Sequence, residues 1–386
     1  ISKDINKALK WYQKASKQGH VKAQSKLALI YENGLGTTKK KKEDRLHRKA
    51  VNQSPLLEET PEAQHNLAKV FHVKGEYNKA FKLYTKAANQ SHLEAQFELA
   101  LLYFNGKGVK QDYHKAFKWF SKAADKGYSR AQYNLGVMYE YGIDVEKDYS
   151  TAFTWYEKSA NKGYANAQYD LALFYYKGKG VSSNTKNAMK WLEKASDQGY
   201  EKAQFDLALL YSKETTVEKN HVKAFNIFKK LSSKGHVPAQ FHLGEIYENG
   251  IVVEKDIEKS LFWYLKAVNE NYAPAQYNVG MLYQQSMDVP RNSEIALKWI
   301  TQASNNNLPI AQFKLGEMYL TGIGIEENKQ KAVNLFIKSY EGGYLKAKKV
   351  LDKYKSGKLH SLKNNLTLED WLLSGENLGD NIEPQL

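Results

Sequence analysis

Ten histidines, 42 carboxylates and 57 lysines and arginines could carry chemistry in this 386-residue chain, and no cysteine stands among them. Without a thiol there is no disulfide, no thiolate zinc site and no cysteine nucleophile, and a cysteine-free chain suits either redox compartment. The histidines include no His-Glu-x-x-His or comparable ligand pair. His65 and His72, like His236 and His242, differ in helical phase, so each reads as a lone surface side chain. The close glycines of NGKGVK (105–110) and KGKGVS (177–182) lack the Gly-Lys-Ser/Thr ending of a phosphate loop and read as turn glycines. Carboxylate pairs are scattered along charged helices, and none is set apart as acid and base. The sequence therefore nominates no catalytic residue, no metal site and no cofactor, and predicts a non-enzymatic protein.

The net charge of +15 is almost all lysine, with arginine only at Arg45, Arg48, Arg130 and Arg291. Base and phosphate recognition favours the arginine fork, so the lysines read as a solvated coat and no specific nucleic-acid partner is expected. The densest basic tract, Lys39–Lys42 with Arg45 and Arg48, carries its own counter-charges in Glu43 and Asp44. No run approaches the roughly 20 apolar residues of a membrane-spanning helix.

Such a chain must position whatever it uses by repetition. The dipeptide Ala-Gln recurs at Gln24, Gln64, Gln96, Gln132, Gln168, Gln204, Gln240, Gln276 and Gln312, and from Gln96 onward every step is 36 residues. Each unit holds two apolar stripes at helical spacing, such as Ala131, Leu135, Met138 and Tyr139, then Ala152, Phe153, Trp155 and Tyr156. An aromatic stands seven residues after each glutamine, from Tyr31 to Tyr319, and a Trp column runs through Trp119, Trp155, Trp191, Trp263 and Trp299. Four residues after the glutamine only Ala or Gly appears, as close helix approach requires. Gly127, Gly163, Gly199 and Gly235, replaced later by Asn271 and Asn307, suit a left-handed position behind the second helix. One hairpin cannot bury these stripes, so stability must come from stacking neighbours.

The unit AQFELALLYFNGKGVKQDYHKAFKWFSKAADKGY and its copies resemble the Sel-one-like repeat (SLR) proteins, a branch of the tetratricopeptide-like α/α repeats. The resemblance implies an all-α, right-handed superhelical α/α solenoid of about nine to ten helical-hairpin repeats. It also implies an adaptor or scaffold with a concave groove, in bacterial envelope, secretion or host-contact complexes, although the compartment stays open. The penicillin-binding branch of the family carries paired cysteines, so that activity is not carried over.

Four segments are expected. Residues 1–34 are partial repeats, a second helix followed by a first helix, and the opening at Ile1 reads as a start inside a repeat, with any targeting region outside the chain. Residues 35–60 form an irregular joint, 61–355 the regular repeats, and 356–386 a capping helix with a loose tail. In that last segment Thr367 reads as an N-cap and Asp370 as its capping-box partner, so that Trp371 and Leu372 lie over the last repeat.

The stripe opposite Leu135 on the first helices is the expected groove lining. It comprises Leu101, Phe104, Tyr133, Val137, Glu140, Tyr169, Leu173, Tyr176, Phe205, Leu209, Glu245 and Glu248, flanked by Asp170 and Asp206. Its aromatic column, which includes Tyr133, Tyr169 and Phe205, fits packing between repeats better than contact with a peptide. The other columns are apolar in the middle units and acidic later, which suits another protein bound through a basic or amphipathic segment. The unbound chain is expected to be a monomer. Rival readings are a dedicated inhibitor of the immunity type and a cell-wall enzyme or glycan binder.

Overall fold

The computed structural model describes residues 10–12, 14–15, 60–213, 220–285 and 288–355. Apart from residues 10–12, 14–15 and Thr60, the expected partial repeats, the irregular joint with its basic tract, and the capping segment lie outside them. From Pro61 onward the described residues hold helices and no strand. They fall into two compact units, Ile1–Tyr200 and Glu201–Leu386.

The first unit holds α1 (Pro61–Val73), α2 (Tyr77–Asn89), α3 (Leu93–Asn105), α4 (Tyr113–Asp125), α5 (Ser129–Tyr141), α6 (Tyr149–Asn161), α7 (Ala165–Lys177) and α8 (Thr185–Asp197). The second holds α9 (Glu201–Ser212), α10 (His221–Ser233), α11 (Val237–Asn249), α12 (Ile257–Asn269), α13 (Ala273–Gln285), α14 (Ser293–Asn305), α15 (Pro309–Thr321), α16 (Lys329–Glu341) and α17 (Leu345–Lys355). Within each unit, chain neighbours pack as helical hairpins, with odd-numbered helices first in each hairpin. The all-α repeat solenoid is thus the observed architecture.

Each second helix from α4 onward starts at an Asp or Asn, spaced 36 residues apart from Asp112 to Asn328. The side chain of that residue accepts a first-turn backbone N–H, as Asp112 does from Lys115 and Asn328 from Lys331, both at 2.9 Å. Its own N–H closes the loop onto the aromatic carbonyl nine residues earlier, Tyr103 for Asp112 at 3.0 Å and Tyr319 for Asn328 at 2.8 Å. Behind the second helices, Gly127 (φ 83°) and Gly163 (φ 85°) occupy the left-handed region, and Asn271 and Asn307 (φ 59° each) take the same place in the second unit.

Small residues set how closely the two helices of a hairpin approach. A Cβ added at Gly136 would meet the Tyr156 ring at 2.6 Å, and one at Gly244 would meet Tyr264 at 2.5 Å. The aromatic that fills each gap is fully buried, as Tyr84, Phe120, Tyr156, Phe228, Tyr264 and Phe336 show.

The Ala-Gln glutamines are buried and tie each first helix to the end of the second helix before it. Gln96 and Gln132 donate Nε2 to the Ala88 and Ala124 carbonyls, each at 3.1 Å. Their Oε1 atoms accept no hydrogen bond from the protein. Gln168 differs, because Gln198 donates to its Oε1 at 2.7 Å, and Asn306 does the same for Gln276 at 2.8 Å. The donor stands 30 residues after the acceptor, where Gln96 and Gln132 have Lys126 and Lys162 instead.

On the outer side of the second helices the lysine coat has a structural role. Lys122, Lys158 and Lys194 each lie three residues after a Trp and place their ammonium groups 4.2, 4.1 and 3.9 Å from the Trp119, Trp155 and Trp191 ring centroids. Each such cation–π contact contributes about 0.5–1 kcal/mol at an exposed site.

Candidate protein-binding face

In the first unit the expected lining residues come from α3 (Leu101, Phe104), α5 (Tyr133, Val137, Glu140) and α7 (Tyr169, Asp170, Leu173, Tyr176), and all are half-buried. In the second unit they come from α9 (Phe205, Asp206, Leu209) and α11 (Glu245, Glu248); Asp206 and Leu209 are buried there and the other three half-buried.

The stripe divides into two halves with different work. The aromatic column turns toward its own second helix and the connection behind it. The Tyr133 ring lies 5.5 Å from Tyr156 and 5.3 Å from Tyr164, and its hydroxyl donates to Asp170 Oδ2 on the next first helix at 2.8 Å. Phe205 sits 6.0 Å from Phe228 and 4.8 Å from His236. Tyr169 packs against Tyr200 at 5.2 Å. This column joins repeats.

The carboxylates are engaged as well. Glu140 accepts the Tyr156 hydroxyl at 2.7 Å and pairs with Lys179 of the next hairpin at 3.0 Å. Glu248 accepts the Tyr264 hydroxyl at 2.6 Å. Burial pushes the Glu248 carboxyl above the usual carboxylate range, opposed by that hydrogen bond. Glu245 holds His242 Nδ1 at 2.7 Å. Burial beside these acids raises the Tyr133, Tyr156 and Tyr264 hydroxyls, so all three stay protonated donors.

What stays open is the half of the stripe centred on Val137. On α5 the exposed residues are Arg130 and Tyr141, and Asn134 and Val137 lie half-buried between them. Arg130 stacks its guanidinium 4.5 Å from the Phe97 ring and reaches Glu98 at 4.0 Å on the preceding first helix. The expected flanking column of Asp170 and Asp206 also holds Asn134, His242, Asn278 and Lys314. That column varies from Glu98 and Asn134 through Asp170 and Asp206 to His242, Asn278 and Lys314, while the core columns stay apolar.

The histidines expected on the surface are not lone surface side chains. His65 is buried and stacks on His92 at 4.6 Å, and burial holds its pKa down at about 4. His92 and His236 are N-caps whose Nδ1 atoms each accept a backbone N–H at 3.2 Å, from Ala95 and Ala239. With Nδ1 accepting, the His92 Nε2 carries the proton it shares with Glu62 Oε2 at 3.0 Å. Helical phase within one helix does not reveal these roles, because His65 occupies the inter-repeat aromatic column and the two caps lie outside helical phase. Among the described residues no cluster of three or more metal-ligating side chains occurs, and no helix is long and apolar enough to cross a membrane.

Solved structures of similar fold place this arrangement among known proteins. A protective antigen of uropathogenic Escherichia coli that displays an SLR fold is 26% identical, with a TM-score of 0.59 over 96% of this chain and 86% of its own. A Sel1 repeat protein from Oxalobacter formigenes is 28% identical, with a TM-score of 0.58 over 89% of each chain. An immunity protein from Pseudomonas aeruginosa is 20% identical over 57% of this chain and 81% of its own, at a TM-score of 0.38. No curated protein matches the chain. The Sel1 repeat model matches residues 1–20, 21–45 and 61–92, and then every 36-residue unit from 93–128 to 309–344. From residue 61 onward those boundaries coincide with the observed hairpins, and the chain belongs to the Sel1 repeat family.

Proposed function

We propose that this chain is a non-enzymatic scaffold that binds an amphipathic segment of another protein along the open half of its first-helix face. Sel1 repeat proteins generally mediate protein–protein interactions. The observation that carries the reading to this face is the contrast between columns. The core positions stay apolar in every repeat, whereas the open column changes from Lys69 to Leu101, Val137 and Leu173 in the first unit and mixes Leu209 and Met281 with Glu245 and Glu317 in the second. Tyr141, with 68% of its surface exposed, and the half-buried Phe104 and Tyr176 extend the apolar area. An apolar ridge on the partner meets these side chains, and basic residues beside it meet Glu98 of the same unit.

The experiment is affinity purification with mass spectrometry, comparing the wild-type chain with Leu173→Glu plus Tyr176→Glu. An outer-face control, Lys118→Glu, keeps the count of altered charges in view. The expected result is loss of the wild-type partners from the double variant and retention in the control, with the helical circular dichroism of all three unchanged. Intact capture by a folded double variant overturns the assignment. A very tight one-to-one complex that abolishes a partner enzyme's activity would instead identify an inhibitor.

A further inference from the structure

In the first unit one glutamine of the Ala-Gln column keeps a buried acceptor beside an open recess. Gln96 leaves 3% of its surface exposed, and its Nε2 donates to the Ala88 carbonyl at 3.1 Å. That bond fixes which end of the amide is which. Its Oε1 accepts no hydrogen bond from the described residues, and a buried acceptor left so costs about 1–3 kcal/mol. Gln96 lines a recess of about 360 Å³ between the ends of α2 and α4, with Ser91, Trp119, Lys122 and Lys126 around it.

Sibling joints show what this oxygen takes. Gln64 accepts Gln90 Nε2 at 3.0 Å and Gln168 accepts Gln198 Nε2 at 2.7 Å, while in the second unit Gln276 accepts Asn306 Nδ2 at 2.8 Å. All three donors are primary carboxamides from one column of the repeat, and that column holds Lys126 at the Gln96 joint. The Gln132 joint has a lysine as well, but there Lys162 lies across Gly127, its Nζ 2.9 Å from where a Cβ would stand. The residue in the place of Gly127 at the Gln96 joint is Ser91, at φ 67°, and its Cβ fills the spot that Lys162 uses. The recess beside Gln96 therefore stays open.

We propose that this recess binds a primary carboxamide, carried by a glutamine or asparagine side chain of a bound protein or by a small amide ligand. Its NH₂ group donates to Gln96 Oε1, as the three native amides do for the siblings of Gln96, and its plane lies beside the half-buried Trp119 indole. Its carbonyl meets the ammonium groups of Lys122, which stands 4.2 Å from the Trp119 ring centroid, and of Lys126. Charged ligands fit worse. A carboxylate brings no donor to Oε1, and an ammonium or guanidinium ion meets two lysines against the single carboxylate of Asp125. None of these residues belongs to the open first-helix face.

The full chain labelled with 5-fluorotryptophan reads the site through the Trp119 fluorine resonance, assigned with Trp119→Phe. Propionamide should shift that resonance saturably. N,N-dimethylpropionamide, which has no N–H to give, should bind about tenfold more weakly. Lys126→Gln, whose new amide takes the donor's place, should abolish the shift, while Lys126→Ala, which removes the same charge, should keep it. N-acetylglutamine methylamide tells the sources apart: saturation at or below the propionamide concentration shows that a side chain enters, and saturation by propionamide alone shows that only small free amides do. A shift that grows linearly with propionamide, equal affinity for the two propionamides, or an undiminished response in Lys126→Gln overturns the proposal and leaves water as the occupant. The comparison of the two propionamides uses the unsubstituted sequence, so it decides even where a variant misfolds.

Discussion

Tyr133 and Asp170 couple two successive first helices through a 2.8 Å hydrogen bond from hydroxyl to carboxylate. Asp170 belongs to the acidic residues that gave the inner face its expected charge, yet its Oδ2 is spent on the fold. Replacing Tyr133 with Phe keeps the ring packing on Tyr156 and Tyr164 and removes only this bond. The expected cost is about 1.5–3 kcal/mol, the range for hydrogen bonds to charged groups, read as a lower urea midpoint with an unchanged slope. An unchanged midpoint would mean that Asp170 is satisfied by other donors.

The glutamine column makes a prediction of opposite sign. Gln198 and Asn306 supply amide donors to Gln168 and Gln276, while Lys126 and Lys162 stand where Gln96 and Gln132 need one. Lys126→Gln and Lys162→Gln should each stabilise by about 1 kcal/mol. The chain loses a surface cation at each position and gains stability, which separates this effect from a general loss of charge. Lys118→Gln, on the outer face, serves as the control and should change little.

Gly136→Ala places a methyl group 2.6 Å from the Tyr156 ring. Alanine occupies the same column at Ala100 and Ala172, so the hairpin can adjust, but here it must move a ring held by Glu140. A loss of about 1–3 kcal/mol is expected, the usual cost of overpacking. Thermal unfolding followed by circular dichroism reads it, and a gain in melting temperature would contradict the close approach.

His65 gives the first unit a pH dependence. Burial holds its folded-state pKa at about 4, below the ordinary 6.5, so the unfolded chain takes up the proton first. Its share of stability is full above pH 6.5 and falls as the pH drops toward 4. Burial lowers His236 in the second unit as well, with the same sign. His65 stands in the column that holds Phe97 and Tyr133 elsewhere, so His65→Phe should flatten the acid limb of the first unit's stability while leaving its helices in place. Urea titrations at pH 7.5, 6 and 5 measure the slope; an equally steep acid limb in the variant would move the effect to another group.

The period, the two helices per unit and the small-residue column were legible because each repeats one local requirement many times. Gly127 and Asn271 could be read as left-handed positions for the same reason. The open face of the first helices was legible only in part. Helical phase located Val137 and Leu173, but it could not show that Tyr133 and Glu140 lean onto Tyr156, since that depends on how near the second helix lies. The N-cap column from Asp112 to Asn328 was visible in the sequence and carries the loop geometry, yet polar residues in a polar loop draw little notice without the structure. His65 was misread for a related reason, because its partner His92 lies in the next hairpin.

The glutamine pair bears on how such a chain grows. Gln168 and Gln198 both lie inside the single unit 165–200. A tandem duplication of that unit would copy donor and acceptor together, and the daughter hairpin would be born with its buried amide satisfied. Duplication of 129–164 would pass on Gln132 with Lys162 and so propagate the defect. Packing quality in this array is therefore a heritable property of the module, and a lineage founded on one hairpin keeps its parent's flaw until a surface codon changes.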